Sequence, residues 1–236
     1  MKIFISFISF MIFSTNSFSQ TIETIKKSEK LFTKKGKDFA FLESPIDTAT
    51  LEFVATIKAT GRNKKEYISS LYFAIMEKAK TMGANSFRMH SFLFNDSSKI
   101  YSLSLDTYFS TDSLLQQNFE LHEKNMVFIF GDEKIDGKET QSFKVNGLMK
   151  NIKSGTYYRE ELREGNELKI TKGRITGMTV WLNWKPKRQS AFYTLTGFGL
   201  GGSTVPAGVI GMSFNTGRLT NIDGNLGTLL TQILKQ

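Results

Sequence analysis

A single helical stripe set between two runs of alternating residues limits what this chain can fold into. From about Lys64 to Met82, the apolar residues Ile68, Leu71, Tyr72, Ile75, Ala79 and Met82 fall at i, i+3, i+4, i+7, i+11 and i+14. A helix gathers those positions on one face. Before it, Leu51, Phe53, Ala55, Ile57 and Ala59 alternate with Glu52, Thr56 and Lys58, as in a half-buried strand, with Val54 the exception. Gly61-Arg62-Asn63 breaks that strand, and Asn63 can cap the helix. Gly83 follows the last apolar residue and can take the left-handed conformation that closes a helix. Asn85 suits the tight exit. Phe87 to Phe94 is then a strand with apolar residues on both faces, which predicts a central position. After a turn at Asn95-Asp96-Ser97-Ser98, Ile100 to Phe109 is the next strand, with Tyr101, Leu103, Leu105 and Phe109 facing together. The outcome is a β–α–β–β domain over residues 37–110, one helix laid across a small sheet.

The wording of the helix exit, "AIMEKAKTMGANSFRM", resembles the segment A-x-x-x-A-x-x-x-Gly-Ala-Asn-Ala of the YbjQ family and of the Rcs stress-sensor lipoproteins. Ala74, Ala79, Gly83, Ala84 and Asn85 carry the resemblance, and Ser86 stands where the family often has alanine. It covers about 60 residues and implies the same βαββ fold. The Rcs sensors carry cysteines and a lipid anchor, and neither is found here.

The remainder divides around residues 111–125, "TDSLLQQNFELHEKN", which read as a polar linker or short helix. Residues 20–36 carry Ile22, Ile25, Leu31 and Phe32 amid lysines and read as a helical, loosely attached arm. From Met126 the period becomes two. "MVFIFGD", "SFKVNG", "GTYYREEL", "ELKITKG", "MTVWLNW" and "AFYTLTGF" look like successive short strands with glycine turns. That spacing predicts an antiparallel β-sandwich domain over 126–236. Asn146-Gly147, Gly155-Thr156-Tyr157 and Glu164-Gly165 within it resemble the turn elements of a small bacterial envelope domain of unknown function, a resemblance that imports no activity. From Asn225, Leu226, Leu229, Leu230, Ile233 and Leu234 form one apolar stripe, a C-terminal helix best used in core packing. The fold class expected is therefore α+β: a small sheet-plus-helix domain, then a sandwich with a helical tail.

The first nineteen residues, MKIFISFISFMIFSTNSFS, have a lysine, an apolar run and small residues at 17 and 19. This is the pattern of a secretory signal peptide cut after Ser19. The run is short for a bilayer span, which takes roughly 20 apolar residues, and no later segment is apolar enough to span. The expected location is therefore outside the inner membrane, periplasmic or extracellular. The chain has no cysteine, which excludes a lipoprotein, disulfides, thiol catalysis and cysteine metal sites. The net charge is +9, or +8 without Lys2. In that compartment nucleic acid is not an expected partner. An envelope protein, a second copy, a glycan or an anionic lipid is.

No catalytic set, cofactor site or metal site emerges. Only two histidines exist, His90 and His122, and Glu120-x-His122 does not close a zinc site. No serine sits in a Gly-x-Ser-x-Gly turn. Glu160, Glu161, Glu164 and Glu167 cluster among Arg159, Arg163 and Lys169, as at a mixed-charge hairpin end. The glycine-rich segment 197–211 lacks the Gly-Lys-Ser/Thr ending of a phosphate loop. One surface feature remains. If "MTVWLNW" pairs with "AFYTLTGF", Trp181 and Phe192 share an exposed aromatic patch bordered by Lys185, Lys187 and Arg188. Such a patch suits a protein partner or a sugar face; the competing reading is that a second layer, such as the C-terminal helix, covers these rings. The function expected is a non-catalytic, exported envelope module that binds a protein or itself. The alternative is a carbohydrate- or lipopolysaccharide-binding module using the Trp181 patch.

Overall fold

Ala55, Ile57 and Ala59 before the helix and Tyr101, Leu103 and Leu105 after it build the interior of the first sheet. In the computed structural model, which describes residues 20–30, 32, 38–61, 67–173, 177–195 and 219–236, β3 (Glu52–Gly61) and β5 (Ile100–Phe109) are antiparallel neighbours. β1 (Gln20–Lys27) pairs with β3, and β4 (Ser86–Asn95) pairs with β5, both antiparallel. β2 (Ala40–Phe41) adds in parallel to the start of β4, giving the order β1-β3-β5-β4-β2. Helix α1 (Ile68–Thr81) covers one face with Ile68, Leu71, Tyr72, Ile75 and Ala79, which are buried against Ile57, Ala59, Leu103 and Leu105. The expected signal peptide, the glycine-rich segment 197–211 and the proposed cap Asn63 lie outside the described residues.

Three expectations for this sheet need correction. Leu51 and Phe53 do not share the face of Ala55, Ile57 and Ala59: a bulge between Phe53 and Ala55 turns them to a separate cluster with Leu42, Ile46 and Tyr108. Residues 20–27 are a strand, not part of a helix. Ile22 and Ile25 stand three apart and mimic a helical stripe, but Thr21, Ile22, Thr24 and Ile25 are β-branched and prefer extended backbone. Ile22 packs on the core opposite Ala59, while a bulge between Thr24 and Lys26 leaves Ile25 57% exposed. β4 is also less central than its two apolar faces implied. β2 pairs only with Ser86 and Phe87, so β4 from Arg88 onward has a neighbour on one side and is only partly buried.

The Gly-Ala-Asn exit is a structural device. Gly83 has φ +92°, the left-handed region that a Cβ disfavours, and Ala84 N–H closes back onto Ala79 O at 3.0 Å. Asn85 then brackets Ser110: its Nδ2 donates to Ser110 O and its Oδ1 accepts from Ser110 N–H, both at 2.7 Å. The helix exit is thereby tied to the far end of β5.

Helix α2 (Asp112–Leu121) fills most of the polar stretch after β5, capped by the Thr111 hydroxyl. Two four-stranded sheets follow. One has the order β11-β10-β7-β8, from β7 (Thr140–Val145), β8 (Leu148–Lys153), β10 (Glu167–Lys172) and β11 (Met178–Asn183). The other has the order β13-β12-β6-β9, from β6 (Met126–Phe130), β9 (Tyr157–Glu161), β12 (Ala191–Thr194) and β13 (Thr220–Asn221). Phe143, Ile152, Leu168, Ile170 and Leu182 of the first face Val127, Ile129 and Tyr193 of the second. The sandwich is not wholly antiparallel, because β6 and β12 run parallel. β11 and β12 also fall in different sheets, so the pairing expected across 185–189 does not form.

All five residues of β6 are buried. Val127 and Ile129 point into the sandwich. Met126, Phe128 and Phe130 point the other way and join Phe192, Leu226, Leu229, Leu230 and Leu234 in the cluster that holds α1 and the first sheet. The last four lie on or just after α3 (Gly224–Ile233), whose N-terminus is capped by the Asp223 carboxylate. The core therefore does not stop at residues 111–125: one cluster of buried side chains takes in both spans.

Candidate functional site

The sharing of that core leaves a cleft where the elements meet. The end of α2 supplies Phe119 and Leu121, with His122 and Glu123 following; Phe128 comes from β6, Phe192 from β12, and Asn225, Thr228, Thr231 and Gln232 from α3. The cleft holds about 610 Å³. Its floor is the stacked pair Phe128 and Phe192, with ring centroids 4.9 Å apart and planes 9° from parallel. α3 comes this close because position 227 is glycine: a Cβ there would lie 2.3 Å from Cγ of Phe192. At the mouth, Phe119 is 45% and Leu121 41% exposed. A second cleft of about 670 Å³ adjoins it, sharing Phe119, His122 and Asn225 and lined further by Phe39, Tyr72, Phe73 and Met76.

The polar groups at the join are committed to holding β2. Asn118 Oδ1 accepts from Glu43 N–H at 2.8 Å, and its Nδ2 donates to Phe41 O at 2.8 Å. Asn225 Oδ1 accepts from Phe41 N–H at 2.9 Å. Amides from two helices thus satisfy backbone groups at the outer edge of β2, an edge that would otherwise invite another strand. His122 joins the same network. Its Nδ1 lies 2.6 Å from Glu43 Oε1, and its Nε2 lies 3.3 Å from Asn118 Nδ2. Asn118 Nδ2 is a donor, so Nε2 accepts and the ring proton sits on Nδ1, directed at the carboxylate. Ser190, also in the cleft, donates to Glu123 O, and Thr228 and Thr231 donate to carbonyls of their own helix. Gln189 differs: its Nε2 is buried and has no hydrogen-bond partner.

Glu133, in the loop after β6, was not among the residues singled out by sequence. It is wholly buried. Its Oε2 accepts from Ser69 N–H at 2.5 Å and its Oε1 from the Ser69 hydroxyl at 2.7 Å, and Ile68 N–H also donates to it. These donors open α1, whose own N-cap residue, Tyr67, makes no side-chain cap. A carboxylate from a distant loop thus caps the helix, where the aligned peptide dipoles favour negative charge. Burial pushes its pKa up to about 7 against those hydrogen bonds, and the charge of Asp132 adds to the rise. The sequence signal available was the missing cap at Tyr67.

The expected aromatic patch is only half present. Trp181 is 56% exposed on the outer side of β11, but Phe192 is 7% exposed and forms the floor of the cleft. Phe192 is covered because α3 lies on the face of its sheet that a two-layer sandwich would leave open. Lys185, Lys187 and Arg188 occupy the link from β11 to β12, which Asn125 holds through both backbone atoms of Lys185 and by donating to Arg188 O. Arg188 Nη1 donates to Asn183 O. These basic residues follow the strand of Trp181 but do not border Phe192 as a surface residue.

The other candidates are dispersed. His90 stands on the outer face of the first sheet, with Nδ1 3.0 Å from Asp106 Oδ2. Glu160 accepts from the Tyr158 hydroxyl, Glu161 approaches Arg163 at 4.0 Å, and Glu123 pairs with Arg159. Among the described residues no group of three or more histidines, aspartates and glutamates could hold a metal ion. No helix among them is long and apolar enough to cross a membrane. No family model, no curated protein and no solved structure matches this chain.

Proposed function

We propose that the chain is an exported, non-catalytic module of the cell envelope that binds a protein partner through the cleft between α2, α3 and the β6–β12 pair. The observation that carries this reading is the mouth of that cleft, where Phe119 and Leu121 both line the opening and both reach solvent around an aromatic floor. An apolar side chain of a partner would cover both. A carbonyl brought with it would supply an acceptor for Gln189 Nε2, whose burial without a hydrogen bond costs about 1–3 kcal/mol. Among the described residues no hydroxyl of the cleft hydrogen-bonds to His122, since Ser190, Thr228 and Thr231 donate to backbone carbonyls, and the lack of a nucleophile–base pair favours binding over turnover. Export rests on the leader pattern, and cutting after Ser19 would leave β1 whole.

The test is site-specific photocrosslinking in intact cells. A photoreactive residue at position 119 should trap one discrete envelope protein, or a second copy of the chain, while one at exposed Leu93 on the first sheet traps neither. Equal labelling from both positions, or none from 119, would refute the reading.

A further inference from the structure

The outer face of the β11-β10-β7-β8 sheet carries a different surface from the cleft. Along β11, Val180 and Leu182 pack inward, so alternation turns Thr179 and Trp181 outward. Register extends this into rows across the sheet. Trp181 stands opposite Lys169, and Thr179 opposite Thr171. Thr171 in turn stands opposite Lys144, and Thr140 opposite Lys153.

Each row has a distinct chemistry. The Lys169 ammonium sits 5.8 Å from the centroid of the Trp181 ring, where the negative face of the π-system attracts it. Lys169 is itself anchored, because Asn146 in the β7–β8 turn accepts from Lys169 N–H and donates to Lys169 O, both at 2.8 Å. The next row holds the Thr171 and Thr179 hydroxyls, 3.1 Å apart, beside Lys144. Across these rows Lys144, Lys153 and Lys169 stand against one acid, Glu167. Strand spacing of about 4.8 Å and a two-residue rise of about 7 Å set the Lys144 position about 12 Å from that of Trp181. Trp181 is the only aromatic residue of the face.

We propose that this face is a docking surface for an acidic polysaccharide. The C–H face of a sugar ring lies on the Trp181 indole. The Thr171 and Thr179 hydroxyls meet sugar hydroxyls, and Lys144 and Lys169 meet the acidic groups. Charge complementarity selects an acidic over a neutral glycan. The one other large apolar side chain of the face, Met149, is exposed opposite Lys144 on β8, three strands from Trp181, so the face lacks the apolar cluster around which a protein interface is built. This inference does not depend on the cleft, and either can fail alone.

The experiment uses the mature chain, residues 20–236, titrated with alginate at low ionic strength and followed by tryptophan emission and by sedimentation. Dextran serves as the neutral glycan and phosphatidylglycerol vesicles as the anionic lipid. Alginate should bind and dextran should not. Trp181→Ala, which keeps Trp184 as reporter, should bind alginate about tenfold more weakly. The pair Lys144→Glu and Lys169→Glu, which keeps the Trp181 ring, should weaken it at least as much. Both variants should melt at the wild-type temperature. Undiminished alginate affinity in either folded variant overturns the proposal. So does equal binding of dextran, or binding to vesicles alone.

Discussion

Glu133 offers the sharpest energetic prediction. Its carboxyl is wholly buried at the start of α1 and releases its proton only near pH 7, against 4.5 when free. Between those values the unfolded chain has lost a proton that the folded protein still holds. Stability must then fall as pH rises through that window and level off above it. At about 1.4 kcal/mol per pH unit, the fall is about 3 kcal/mol, a large share of the 5–15 kcal/mol typical of a domain. Glu133→Gln keeps an acceptor for Ser69 and Ile68 but cannot ionise. It should match wild type near pH 4.5 and exceed it by up to about 3 kcal/mol at pH 8. Glu133→Ala leaves those donors unpaired and should cost about 1–3 kcal/mol even at pH 4.5. Urea unfolding from pH 4.5 to 8, with wild type and Glu133→Gln measured in parallel, isolates the effect from other titrating groups. Parallel pH profiles for the two proteins would refute the reasoning.

Three further outcomes follow from the geometry. Gly227→Ala places a Cβ inside the Phe192 ring contact and should cost about 1–3 kcal/mol in urea unfolding. Asn118→Ala combined with Asn225→Ala strips the side-chain amides from Phe41 and should speed hydrogen exchange at the Phe41 amide and promote aggregation through the β2 edge. Phe119→Asp should abolish partner binding at the cleft while leaving the melting temperature unchanged, because the ring is half in solvent.

The helix and its flanking strands were legible because period 3.6 and period 2 sit side by side there, with Gly83 at the join. Residues 20–27 misled because two isoleucines three apart satisfy a helical stripe, and only the open edge of β3 decides for a strand. The face of Phe192 could not be read from its own strand. It turns on whether a third layer covers that sheet, and the unbroken apolar run Met126–Phe130 was the signal, since a strand buried on both faces needs cover on both. The cleft itself left no local trace. Glu43, His122, Gln189 and Asn225 come from four distant segments that only the fold brings to one cleft.

Everything at the cleft depends on the two spans sharing one core. The most direct measurement is to split the chain between Asn125 and Met126 and follow each piece by thermal melting. Residues 20–125 alone should expose the side of α1 and the first sheet that α3 and β6 cover, and residues 126–236 alone should expose Phe128, Phe130 and Phe192. Neither piece should melt cooperatively, and mixing them should restore a single transition. Two cooperative melts from the separate pieces, unchanged on mixing, would contradict the account.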